Sequence, residues 1–248
     1  MNKRRVAERV AMRPAWHHLL FLHWEIEAEA LQRHLPPGLE VDLFAGRAYV
    51  GLIAFTMTAI RPRGLPHLPP LRRWHEDFHE VNVRTYVRHP QFGPGVWFFS
   101  LDAASVAAVC AARLWYKLPY FYATMRLTAR RKNGIVFDYA SRRRWPQPLP
   151  GDCTISYAPR GTAAPAAPGT VEHFLVERYL LYSFAHGHLF TGRVRHKPYQ
   201  IQPAEVFSLE ENLIAAAGIV RPDAPPLACY ARRAQVDMFG PQRLVEKL

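Results

Sequence analysis

Apolar and polar positions alternate with period two along most of this chain, a pattern that places successive side chains on opposite faces of β-strands. It is clearest from Glu80 to Arg88. There Val81, Val83, Thr85 and Val87 make one face, and Glu80, Asn82, Arg84, Tyr86 and Arg88 make the other. With the valine face packed against outer helices, Glu80, Asn82 and Arg84 look together into the interior. Further strands are predicted over Leu39 to Leu43 and Ala48 to Ile60, joined as a hairpin through Phe44-Ala45-Gly46-Arg47, and over Val96 to Leu101 after a turn at Phe92 to Gly95. Phe121 to Arg131 and Ile135 to Arg144 flank Asn133-Gly134, a pair that tolerates positive φ and so predicts a tight hairpin. Strands resume at Gly192 to Ile201 and Cys229 to Phe239.

Helices are few. Ser105 to Tyr116 is alanine-rich behind a serine cap, Val171 to Phe184 carries apolar residues at helical spacing, and Leu209 to Ala217 is a third candidate. Ala158 to Gly169, rich in alanine and proline, reads as an exposed loop rather than a domain linker. There is no βαβ alternation and no glycine-rich phosphate loop, which argues against a nucleotide-binding doubly wound fold. The expected fold class is therefore α+β, mainly antiparallel β, with one domain over residues 14–245 behind a basic tail of residues 1–13.

Composition narrows the function classes. The chain has 248 residues, 49% of them hydrophobic, enough to bury a sizeable core. The net charge of +12 invites a nucleic-acid reading, but its densest stretches, Lys3 to Arg5, Arg130 to Lys132 and Arg142 to Arg144, accompany no recognition motif. Nucleic acid is not an expected partner. Cys110, Cys153 and Cys229 are scattered and odd in number, pointing to a reducing compartment, the cytoplasm. The basic start runs into an apolar stretch broken by His17, His18 and His23, unlike a secretory signal, and the nearly uncharged run from Tyr49 to Ile60 is too short to cross a bilayer. His75-Glu76-Asp77-Phe78-His79 satisfies H-E-x-x-H, but that zinc chemistry needs a helix, and Pro69-Pro70 before it and the Glu80 strand after it leave room for about two turns. His186-Gly187-His188 is too sparse to define a metal site. No metal or cofactor is expected.

A run of segments carries a family resemblance. Trp16 with Phe21, His23 and Trp24, then Leu35-Pro36-Pro37-Gly38, Gly46 to Leu52, Glu80 to Val87, Gly95 to Ala103, Leu118-Pro119-Tyr120, Glu177-Arg178-Tyr179 and His196-Lys197-Pro198-Tyr199 together resemble the YqjF-like family of uncharacterised proteins. That family is similar in fold to acetoacetate decarboxylase. The resemblance implies a closed or cone-shaped antiparallel β-barrel with a few flanking helices and a cavity within. Acetoacetate decarboxylase, the standard illustration of the point, uses a lysine of lowered pKa to form a Schiff base with its ketone. Its Gly-Phe-Pro-Lys-Lys motif falls against Lys117-Leu118-Pro119-Tyr120-Phe121, so both lysines are replaced, and Lys117 lies three residues early.

Glu80 falls where decarboxylase-like proteins place an acidic residue on a cavity-lining strand, and Arg84 projects to the same face. Glu80, Arg84 and Tyr120 are the candidate catalytic residues; His23, Asn82, Lys117 and His196 are the candidate ligand contacts. Glu80 and Arg84 could bind and protonate a carbonyl or carboxylate compound, or pair with each other as a structural ion pair. Asp102 reads as a turn or capping residue ahead of the Ser105 helix. The expected partner is a small molecule, carboxylate-bearing if Arg84 contacts it, and a homo-oligomer is compatible with the sequence. Two functional classes stand: a binding protein for a small carbonyl or carboxylate compound without the Schiff-base lysine pair, and a non-Schiff-base lyase or hydrolase acting on a small keto or carboxylic acid.

Overall fold

The computed structural model describes residues 9–58, 77–131, 134–147 and 150–245. Sixteen strands are found there: β1 (Val10–Met12), β2 (Ala15–Ile26), β3 (Glu40–Val41), β4 (Ala48–Thr58), β5 (Phe78–His89), β6 (Gly93–Ala103), β7 (Tyr120–Arg131), β8 (Ile135–Trp145), β9 (Asp152–Pro159), β10 (Ala164–Pro165), β11 (Leu180–Ala185), β12 (His188–Arg195), β13 (Gln200–Glu211), β14 (Leu227–Gln235), β15 (Asp237–Phe239) and β16 (Gln242–Arg243). Four short helices accompany them: α1 (Ala28–Gln32), α2 (Val106–Ala111), α3 (Val171–Val176) and α4 (Leu213–Ala216). The fold is mostly antiparallel sheet with few helices. No described helix is long and apolar enough to cross a membrane.

The sheet runs β1-β15-β12-β11-β6-β7-β8-β9-β13-β14-β2-β4-β5-β3, and β5 also pairs with β6. Strand β6 is the pivot. One of its edges pairs antiparallel with β5 from Glu80↔Ala103 to His89↔Gly93; the other is divided between β11 near Val96 and β7 near Leu101, both parallel. A parallel neighbour requires a crossover. The one from β6 to β7 is a βαβ unit, absent from the sequence reading: Ser105 Oγ accepts from Ala108 N at the start of α2, and a π-helical turn over Ala112–Tyr116 follows. Gly95 lets β11 come close, since a Cβ there would lie 2.6 Å from the Tyr182 ring.

Alternation along the strands sorts the interior into two clusters. Leu19, Phe21, Ile53 and Phe55 belong to one, together with Tyr116 and Val176. Leu20, Leu22, Leu52, Ala54, Val81 and Val83 belong to the other, together with Phe137 and Tyr139 of β8, Ile155 of β9 and Leu213 and Ile214 of α4. The valine face of β5 thus packs on other strands as well as on a helix, and not on outer helices alone.

Several predicted elements change. Val10–Met12, read as part of the basic tail, pairs with β15. Strand β3 pairs with β5 and forms no hairpin with β4; Phe44 and Arg47 bridge a turn in which Ala45 and Gly46 have positive φ. The helix predicted to Phe184 ends at Val176, because Leu180–Ala185 is recruited between the edges of β6 and β12. Backbone pairing overrides the helical spacing there. Likewise Leu209–Glu211 stays in β13, paired with Cys153 to Ile155 of β9, and only Leu213–Ala216 is helical. The hairpin from β7 to β8 has Arg131 opposite Ile135 and Gly134 at φ 122°; Asn133 lies outside the described residues. So do His75 and Glu76 of the H-E-x-x-H match, while Phe78 and His79 are strand residues.

Candidate functional site

On its cavity face β5 presents Phe78, Glu80, Asn82 and Arg84, two residues apart. They line a cavity of about 320 Å³, closed on other sides by α2, the π-helical turn, Val176 of α3 and side chains of β2, β4 and β6. Most of this wall is apolar. The polar groups are concentrated on β5 and its immediate neighbours.

Glu80 is only 2% exposed. The Tyr120 hydroxyl donates to its Oε2 at 2.9 Å, and Asn82 also bonds its carboxyl. Burial pushes this carboxyl up to about 7, outweighing the two hydrogen bonds, and nearby Asp102 adds to the rise. Burial and Glu80 in turn hold the Tyr120 hydroxyl well above its ordinary value, so it is a neutral donor. Asn82 Oδ1 is buried without a partner.

Arg84 makes a different set of contacts. Its Nη2 donates to the Leu175 carbonyl at 3.0 Å and to the Tyr86 hydroxyl at 3.3 Å, while its buried Nε has no partner. Among the described residues no carboxylate lies within ion-pair distance of it. The structural ion pair between Glu80 and Arg84, one of the two sequence readings, is therefore not formed. Four residues along a strand separate them by about 13 Å of backbone. Arg178, the other guanidinium at the cavity, is neutralised by Asp42 at 2.8 Å and lies over the Phe174 ring at 4.0 Å.

The remaining candidates are dispersed. His23 is buried, with Nε2 at 2.6 Å from the Tyr86 hydroxyl; burial and Arg84 push its pKa well down, making it a neutral structural partner. Gly51 accommodates it, since a Cβ there would approach the His23 ring to 2.9 Å. His196 is also off the cavity wall: its Nδ1 faces the Lys197 carbonyl at 2.8 Å, its ring lies 4.3 Å from that of Tyr199 at a 42° tilt, and its buried Nε2 is unpartnered. Lys117, at φ 57° after the π-helical turn, bonds the Leu114 carbonyl and lines an outer groove with Arg113 instead of the cavity. Among the described residues no lysine lines the cavity.

Asp102 is more than a turn residue. Arg143 of β8 donates to both its oxygens, Nε to Oδ2 at 2.9 Å and Nη2 to Oδ1 at 2.7 Å, in a fully buried bidentate pair. The guanidinium lies 3.7 Å above the Phe121 ring. Phe121 occupies the second position set against the decarboxylase lysine pair, so a ring supporting an arginine stands there. Sequence reasoning missed this arrangement because Arg143 sits within Arg142 to Arg144, which reads as a surface cluster; only the inward parity of β8 at Ser141 and Arg143 marks it.

Residues 13–235 match DUF2071, a family described as an uncharacterized conserved protein. The chain belongs to that family. It is 35% identical over 232 residues to the uncharacterized protein YqjF of Bacillus subtilis (strain 168), covering 94% of this chain and 91% of that protein. Solved structures share the fold at low identity. An acetoacetate decarboxylase-like enzyme from Sphingomonas wittichii RW1 superposes with a TM-score of 0.65 at 15% identity, over 96% of this chain and 94% of that one. The enduracididine biosynthesis enzyme MppR, solved in complex with pyruvate, superposes with a TM-score of 0.64 at 11% identity, over 98% and 93%.

Proposed function

We propose that this protein binds a small carbonyl or carboxylate compound in the cavity beside β5, with Arg84 as the anion contact and no imine formed. The observation that carries this reading is Arg84: a cavity-wall guanidinium with no carboxylate at ion-pair distance among the described residues, while its neighbour Arg178 pairs with Asp42. The partly buried Arg84 guanidinium has two hydrogen bonds and the Phe21 and Tyr86 rings beside it but no counter-charge, and an anionic ligand supplies one. That MppR, which shares this fold, has been solved with pyruvate fits the reading. Among the described residues the cavity offers no amine nucleophile, since Tyr120 and Phe121 stand against the lysine pair in the sequence register and Lys117 lines an outer groove.

In the finer fold reading, the path from β6 through β7, β8, β9, β13, β14, β2, β4 and β5 back to β6 forms a closed barrel, and residues 14–245 act as one domain around it. A second functional reading draws on Glu80. A carboxyl held near 7 and hydrogen-bonded to Tyr120 is matched to proton transfer at neutral pH, which favours a non-Schiff-base lyase or hydrolase acting on the bound compound.

Calorimetric titration of acetoacetate, and of acetone as its uncharged counterpart, into the wild-type chain and Arg84→Met tests the binding reading. Acetoacetate should bind the wild type and lose at least tenfold in Arg84→Met, with acetone unaffected. Equal acetoacetate affinity in both proteins contradicts Arg84 as the anion contact.

A further inference from the structure

We infer that the ligand is an amphiphilic carboxylate with an apolar body of about six to eight carbons, bound head-first at Arg84, rather than a short polar keto acid. The inference deepens the reading above and rests on Arg84 as the anion contact. It is carried by the size and the chemistry of the cavity together.

The volume is about 320 Å³. At about 30 Å³ for each water-sized unit this is room for about ten non-hydrogen groups, and a three- or four-carbon keto acid fills little more than half of it. The remainder would be water against Phe55, Met57, Phe98, Leu101, Trp115 and Met238, side chains that gain nothing from hydrating each other. An apolar ligand body removes that water and the exposed wall at once.

The polar groups fix the orientation. Arg84 and Glu80 lie four residues apart on β5, about 13 Å along an extended strand, so a carboxylate cannot contact both. The head belongs at Arg84, which has ring and hydrogen-bond neighbours but no carboxylate partner among the described residues, and away from Glu80, whose own carboxyl repels it when ionised. The body then runs along β5 past Asn82. Its far end reaches Glu80, Asn82 and Tyr120, which can receive a hydroxyl or carbonyl there.

The test is calorimetric titration of the full chain at pH 6 with pyruvate and with unbranched carboxylates from acetate to dodecanoate, with 1-octanol and octylammonium as head-group controls. Affinity should rise about fourfold for each methylene from butanoate to octanoate, as expected for buried CH₂ groups, and level or fall beyond about nine carbons. Pyruvate should bind at least a hundredfold more weakly than octanoate, and octylammonium should not bind. Arg84→Met should weaken octanoate at least tenfold and leave 1-octanol unchanged. Pyruvate or butanoate matching octanoate would overturn the apolar-body inference while leaving the Arg84 reading intact. Equal binding of octanoate and 1-octanol, unaffected by Arg84→Met, would overturn both.

Discussion

Two sets of ionisable side chains lie on opposite faces of the same β5–β6 ladder, and they are resolved in opposite ways. On one face Asp102, level with Val81 in the register, meets Arg143 in a two-bond ion pair propped by Phe121, and each charge satisfies the other. On the other face Glu80 and Arg84 share a strand but no contact. Glu80 is held near 7 by burial, and Arg84 keeps an unpartnered nitrogen. Paired charges of the first kind do structural work, whereas charges kept apart beside a cavity remain available to a ligand. Sequence proximity hides the difference, because Glu80 and Arg84 look like partners and Asp102 and Arg143 lie 41 positions apart.

The contrast is broken most severely at Arg143. Arg143→Met leaves Asp102 buried and uncompensated, and chemical denaturation should show a loss of about 3–5 kcal/mol. If the loss stays below about 1 kcal/mol, the pair is not structural.

Glu80→Gln should act in the opposite direction, and only at higher pH. The folded-state value near 7 exceeds the ordinary 4.5, so below pH 4.5 the carboxyl is protonated in both states and contributes no penalty. As pH rises from 4.5 to 7 the unfolded chain releases the proton first, and wild type loses stability relative to Glu80→Gln, reaching roughly 3 kcal/mol above pH 7. Denaturation curves of both proteins from pH 4 to 8 check this; parallel pH profiles would place Glu80 in an ordinary environment.

Arg84→Met should cost about 1 kcal/mol or less in denaturant, since two hydrogen bonds from Nη2 are lost while an uncompensated cation is removed. A loss as large as that of Arg143→Met would make Arg84 structural and erase the comparison. An effect of similar size is expected from Tyr120→Phe. Removing its hydrogen bond withdraws one of the influences that lower the Glu80 value, so the carboxyl should titrate above 7 in a carbon-13 NMR titration, at a cost near 1 kcal/mol.

The period-two pattern made the strands and the faces of β5 readable, because alternation is a local property: Glu80, Asn82 and Arg84 do line one cavity, and Val81 and Val83 do not. What stayed hidden depends on partners distant in the chain. Leu180–Ala185 is a strand because β6 and β12 offer edges to it, and Arg143 is buried because Asp102 awaits it. Lys117 illustrates the same limit, since its direction is set by a left-handed residue at the end of a π-helical turn, which spacing does not announce. The matched histidines follow suit: His23 and His196 pack behind the wall, against Tyr86 and Tyr199.

The central proposal is that the cavity beside β5 binds its ligand without forming an imine. Borohydride trapping in the presence of acetoacetate, followed by peptide mass mapping, addresses it directly. The account predicts no reduced adduct on any lysine, because Tyr120, which the sequence register sets against the decarboxylase lysine, lines the cavity and is bonded to Glu80. A stable adduct on Lys117, lost together with carbon dioxide release in Lys117→Met, would contradict it.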